Sequence, residues 1–189
     1  HSTAAAFIKP ILGRENLDIK TGAHVTELTF SGDTATGVVY HEGWTSEQAA
    51  VAEDGEVVVA AGAIQTPQLL MLSGIGPADQ LAEHDIDVRN DLPGVGKNLQ
   101  DHLRVNIAFE TDGPVPTRTD RAGRGTRYDR VSVGAFKRSD PDLPAPDMQF
   151  GLAPGLSPEQ PESGYGVTVL PLRPTSTGEV TITSDDPYD

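Results

Sequence analysis

The sequence predicts an α/β unit followed by an antiparallel β-sheet, and three observations carry that expectation. Residues 56–76, EVVVAAGAIQTPQLLMLSGIG, read as a strand, a small-residue turn and a helix in succession. From Leu103 onward, short runs of alternating apolar residues are separated by long polar or proline-rich connections, the texture of an antiparallel sheet. A hydrophobic content of 37%, with 15 prolines and 20 glycines, describes a loop-rich chain rather than a disordered one.

Taken in order, Ser2 to Ile8 form a short helix favoured by their alanines, ended by Pro10 and Gly13. Leu17 and Ile19 alternate within Asn16 to Thr21 as a short strand, and Gly22 turns the chain. His24 to Phe30 is a second strand whose alternation slips between Val25 and Leu28. Ser31-Gly32-Asp33 is a turn signal, and Gly37 to Tyr40 returns with Val38 and Val39, giving a meander. His41 to Glu53 is polar and reads as a hairpin tip or loop; Trp44 within it, the single tryptophan, is expected to cover an apolar edge.

Val57, Val58 and Val59 have the composition of a strand buried on both faces of a parallel sheet. Ala60, Ala61 and Gly62 then remove side-chain bulk, so that backbone or a ligand can approach closely. Thr66 followed by Pro67 reads as a helix start, with Leu69, Leu70 and Leu72 to bury and Gly74 as the stop. A strand end, a small-residue turn and a helix start make a crevice suited to a nucleotide.

Pro77 starts a second short helix with Ala78, Leu81 and Ala82 on one side; Ile86 and Val88 make a brief strand, and Pro93 to Gly96 turn the chain. In Asn98 to His102, Asp101 and His102 are neighbours and point to opposite sides of an extended chain, which argues against a catalytic pair. The favoured reading is a hydrogen-bonded joint in which Asn98, Gln100 and Asp101 satisfy backbone groups; a place for His102 in or near a pocket stays open. Val105, Ile107 and Phe109 predict a strand with one buried face. Further strands are marked by Val131 with Val133 and Ala135, by Met148 with Phe150, by Val167 with Val169 and Leu170, and by Val180 with Ile182. Between them, Arg118, Arg121, Arg124 and Arg127 form a basic cluster in a long loop, a solvated surface or else a lid or partner contact.

Charge and motif absences exclude several functions. A net charge of −14 repels nucleic acid and anionic membranes. No apolar run approaches the roughly 20 residues of a transmembrane helix, and no charged-then-apolar leader opens the chain, so a soluble product is expected. Without cysteine there are no disulfides or thiolate sites, which leaves the compartment open; a cytoplasmic location is the expectation. The five histidines lack metal-binding spacing, so no metal is expected. No GxGxxG fingerprint, phosphate loop or GxSxG elbow occurs: Asp79 stands where a third glycine would follow Gly74 and Gly76. Scattered acids, with arginine outnumbering lysine, suit either an ordinary acidic enzyme or a protein kept folded in high salt, where screening removes self-repulsion. On the second reading the melting temperature rises along a salt series; a flat or falling trend contradicts it.

The segment GAIQTPQLLMLSGIG, residues 62–76, closely resembles the second signature of the glucose-methanol-choline (GMC) family of FAD-dependent oxidoreductases. LPGVGKNLQDH, residues 92–102, is similar to the segment that follows it in choline-dehydrogenase-like members, and LRPTSTGEVTITSDDP, residues 172–187, resembles their later strand pair. The resemblance implies part of a three-layer FAD-binding domain over residues 1–101, joined to part of a substrate domain built on an antiparallel sheet over 102–189. In RENLDIKTGAHVTEL, Val25 stands where a backbone contact to the FAD adenine is made; Ala61 and Gly62 complete the expected cofactor-binding set, with Asn98 and His102 at the joint or pocket.

The implied activity is hydride transfer from an alcohol, with a choline-like alcohol as the candidate, to FAD, and then to an electron acceptor. No catalytic residue is assigned within the chain. In the family the pyrophosphate loop precedes the segment matched by His1, and the active-site histidine follows the segment matched by Asp189, so an internal fragment, inactive alone, is the expectation. A hydroxynitrile lyase of the same fold, or a non-catalytic truncated module, are the alternatives.

Overall fold

The computed structural model describes residues 2–114, 133–154 and 163–189. These divide into two compact units, His1–Lys97 with Glu179–Asp189, and Asn98–Gly178. A single crossing was expected near residue 101; instead the chain crosses after Lys97 and its last eleven residues return to the first unit.

In the first unit, Ala4–Ile8 and Lys9–Ile11 wind as consecutive helical turns, the first widened so that the Lys9 amide donates to the Ala4 carbonyl. Strands β1 (Ala23–Ser31), β2 (Thr34–Glu42) and β3 (Thr45–Ala50) then form an antiparallel meander in that order. Both hairpins turn on two residues, Gly32-Asp33 and Gly43-Trp44, and each glycine takes a positive φ, 56° and 59°, as tight hairpin turns require. The register of β1 against β2 shifts between Val25 and Glu27, where the hydrophobic alternation slips in the sequence.

The segment expected to be a polar loop after His41 therefore contains β3. Its side chains are exposed, so it carries no apolar period; its pairing to β2 is made by backbone alone. Trp44 sits at the hairpin tip fully exposed and covers no apolar edge, correcting the role expected for it. Residues 17–21 and 57–59 belong to no helix and no ladder among the described residues. A β-branched run forms a strand only when a neighbour takes its amides and carbonyls. Val58 is accordingly 76% exposed rather than buried on both faces.

Helix α1 spans Gly62–Leu72, five residues longer at its start than the helix from Pro67 that the Thr66-Pro67 signal implied, so Pro67 lies inside it. As the sixth residue of the helix, Pro67 has no amide to donate to the Ala63 carbonyl, a cost that the packing of Leu69 and Met71 has to offset. The helix stops at Gly74, whose φ of 80° completes a left-handed cap. Ser73 fastens this end to the sheet: the Leu28 amide donates to its Oγ at 2.9 Å, and its hydroxyl donates to the Leu69 carbonyl at 2.6 Å. Both are buried bonds, so Leu28 and Leu69 are packed without orphaned polar groups.

Strand β4 (Ile75–Gly76), helix α2 (Ala78–Glu83) and β5 (Asn90–Asp91) make a minimal strand-helix-strand unit, β4 and β5 being parallel. The strand expected at Ile86 and Val88 is thus placed two residues later, while Ile86 packs against the core instead. That core consists of Met71 and Leu81, both fully buried, and Ile182, with Ile86 and Val95 against them. A Cβ at Gly76 would lie 2.8 Å from Met71 Cγ, so the glycine lets strand and helix close on one another.

The returning segment enters this core at Ile182. The Val180 amide donates to the Gly96 carbonyl at 2.8 Å, and Gly96, at φ 79°, approaches Val180 too closely for any Cβ. Val180 and Ile182 therefore do not form a fifth strand of the second sheet. The short pair β6 (Lys97–Leu99) and β11 (Gly178–Glu179) lies where the chain leaves and re-enters the first unit, and Lys97 pairs with the Glu179 carboxylate.

The second unit is a four-stranded antiparallel sheet in the order β7-β10-β9-β8, built from β7 (Val105–Pro114), β8 (Val133–Lys137), β9 (Met148–Pro154) and β10 (Ser163–Pro171). Antiparallel pairing was the expectation for this half. Register brings Ile107, Val167, Leu152 and Val133 into one row and Val105, Val169, Phe150 and Ala135 into the next, so these two rows of one face are apolar. Phe109 and Tyr165 stack on it, ring centroids 5.0 Å apart. The burial expected for that face is absent: Val105, Ile107, Phe109 and Val133 are 42–56% exposed. A patch of this kind predicts strong fluorescence from a hydrophobic dye; dye binding at the level of a well-packed monomer contradicts it. Between β8 and β9, Ser139 donates through its amide and hydroxyl to Asp147, and these bonds hold the Asp147 carboxyl below its ordinary range. Val131 and the arginine cluster at 118–127 lie outside the described residues.

Candidate functional site

A cavity of about 210 Å³ opens within the first unit between β1 and α1. Ala23, His24 and Val25 line it from the strand, Ala61 from the turn, and Gln65, Gln68, Leu69 and Leu72 from the helix, with Pro187 closing one side. The helical residues recur at intervals of three and four, so they share one face, and the sheet fixes that face opposite β1 through Ser73.

Two of the three residues expected to meet a cofactor, Val25 and Ala61, are thereby brought to one cavity from positions far apart in sequence. Gly62 is next to Ala61 but not among the lining residues; its φ of 93° serves the bend from the extended segment into α1. Val25 is 37% exposed and Ala61 has no bulk, so ring-sized matter meets backbone and a β-branched wall there. The carboxamides of Gln65 and Gln68 add donors and acceptors to walls otherwise formed by alanine, valine and leucine.

Asn98 and His102 are not part of this cavity. Both are exposed residues of the second unit. Asn98 occupies the left-handed region at φ 61°, Gln100 Nε2 donates to the Pro174 carbonyl at 2.9 Å, and Asp101 Oδ1 accepts from the His102 amide at 2.8 Å. Gln100 and Asp101 thus satisfy backbone groups, and the Asp101 carboxylate is engaged by the backbone of its neighbour rather than by the imidazole.

Lining residues not singled out from sequence are Ala23, His24, Gln65, Gln68 and Pro187. Beginning the helix at Gly62 exposes the glutamines as a stripe with Leu69 and Leu72, a signal the Thr-Pro pair obscured. Pro187 arrives by the return of the last segment to the first unit, which no local pattern encodes.

The donor set fits one end of a dinucleotide. A flat heteroaromatic base wants apolar faces with a few hydrogen-bonding groups at its edge, and the cavity offers both. Its volume is below that of a site for a whole drug-sized molecule and suits a ring-sized group.

Comparison with known proteins bears on the same region. The family model for GMC oxidoreductases matches residues 1–104, more than half the chain. The chain is 37% identical to human mitochondrial choline dehydrogenase, with 100% of this chain and 35% of that protein covered. It is 35% identical to an "Alcohol dehydrogenase [acceptor]" of Pseudomonas putida, covering 100% of this chain and 38% of the relative. Among solved structures, pyridoxine 4-oxidase from Mesorbium loti superposes with a TM-score of 0.78 at 28% identity, over 97% of this chain and 36% of that one. The chain therefore spans less than two-fifths of the length of these relatives. A signature read in residues 62–76, a cavity that joins its N-terminal end to Val25, and the match over residues 1–104 converge: the chain belongs to the GMC oxidoreductase family, whose members are FAD-binding flavoproteins.

Proposed function

We propose that the chain is part of a longer FAD-dependent oxidoreductase that oxidises an alcohol, and that its first unit holds the adenine end of the cofactor. The observation that carries this is the cavity shared by Val25 and Ala61. In this reading the extended backbone at Ala23 to Val25 meets the base edge, Ala61 lets the nucleotide approach, and Gln65 and Gln68 present their amides. Gly62 sets the angle at which the turn enters α1. The first unit then belongs to the FAD-binding domain and the second to the substrate domain, with Asn98 and His102 at the joint.

Bound FAD supplies the hydride acceptor that no side chain can replace. The contribution of this chain is to bind and orient the adenine end, and no residue of it is assigned a role as base or nucleophile. The segment alone is accordingly inactive toward alcohols. Choline dehydrogenase and alcohol dehydrogenase among the relatives support an alcohol as substrate. The apolar, aromatic face of the second sheet supplies no acidic group along its rows to pair with a quaternary ammonium, so the choline-like assignment draws on the relatives.

The test is anaerobic addition of primary alcohols, choline included, to the FAD-loaded longer protein. Loss of the oxidised-flavin absorbance supports alcohol oxidation. Retention of that absorbance with every alcohol, in protein that holds FAD, rules it out.

A further inference from the structure

We propose that Pro187, Tyr188 and Asp189 form a strap that gives the cavity between β1 and α1 its selectivity for a purine base, with Tyr188 as the positioning residue; this rests on the reading that the cavity takes the adenine end of FAD. The strap is tied to both walls. On the helix side, Gln68 Nε2 donates to the Asp189 carbonyl at 3.4 Å. On the sheet side, the Tyr188 ring stacks on His24 with centroids 4.9 Å apart and planes 24° from parallel, while its hydroxyl and His41 Nδ1 share a hydrogen bond of 2.7 Å. His24 and His41 are directly opposite each other in the β1–β2 register, so one tyrosine engages a cross-strand pair.

Tyr188 is 60% exposed and does not line the cavity, whereas its neighbour Pro187 and its stacking partner His24 both do. An exposed ring held by a stack, a hydrogen bond and its own amide, which donates to Asp186 Oδ1 at 2.9 Å, adds little to the core. What it fixes is position: His24 on one wall and Pro187 on the side. A planar base gains from stacking only when the slot around it is already set, because ordering loose walls offsets the contact. A two-ring purine fills a slot of this kind better than a pyrimidine, so the strap acts on the choice of base.

The experiment measures AMP and CMP binding to this chain by isothermal titration, for the unmodified protein, Tyr188→Phe and Tyr188→Ala, with melting temperatures recorded alongside. The unmodified chain is expected to prefer AMP by about tenfold, the scale of one base stack. Tyr188→Ala is expected to remove most of that preference with little change in melting temperature. Tyr188→Phe, which keeps the ring and loses the hydroxyl bond, is expected to fall between them, and it serves if the alanine variant does not fold. A purely structural tyrosine would weaken AMP and CMP equally. An unchanged AMP-to-CMP ratio in both variants overturns the inference while leaving the adenine site standing; failure of the unmodified chain to bind AMP overturns both.

Discussion

Met71→Ala is expected to lower the unfolding free energy of the first unit by about 2–5 kcal/mol, the range for truncating a fully buried long side chain. Met71 is the meeting point of this unit: it is completely buried, it packs with Leu81 and Ile182, and Gly76 is a glycine because of its Cγ. Those partners come from β4, α2 and the returning segment, so one truncation loosens three separate stretches of chain. Whole domains are stable by only about 5–15 kcal/mol, so the loss is a large fraction of the total. Val58→Ala, at a position 76% exposed, is the control and is expected to stay within about 0.5 kcal/mol. Urea unfolding followed by circular dichroism compares the two. Equal midpoints would show that the core does not lie where Met71, Leu81 and Ile182 meet.

Ala61→Trp is expected to weaken FAD and AMP binding at least tenfold, about 1.4 kcal/mol or more. Ala61 lines the cavity at the turn before α1, and its side chain is otherwise exposed. An indole there occupies the space left for the base while meeting few groups that support the fold, so melting is expected to change little. Retained affinity would move the adenine site away from this turn.

The parts of the fold legible in sequence were those set by local chemistry. The Gly32-Asp33 turn, the slip after Val25, the stop at Gly74 and the sharp Pro93–Gly96 turn each depend on a few neighbouring residues. The parts that were not legible depend on partners. Val57 to Val59 have strand composition but no neighbouring strand among the described residues, and β3 lacks strand composition but is paired by β2. Val180 and Ile182 alternate like a strand yet serve the first unit's core, because the chain returns there after Gly178. The site follows the same division. Val25, named from family resemblance, and Ala61, named from the small-residue turn, share a cavity, while Gln65, Gln68 and Pro187 entered it through a longer helix and a returning segment.

Equilibrium dialysis of this chain against FAD and, separately, against FMN tests the central claim most directly, since the two flavins differ by the adenylate end that the first unit is proposed to hold. The account predicts that FAD is retained and FMN is not, with AMP displacing the bound FAD. Equal retention of both flavins, or retention of neither, would contradict it.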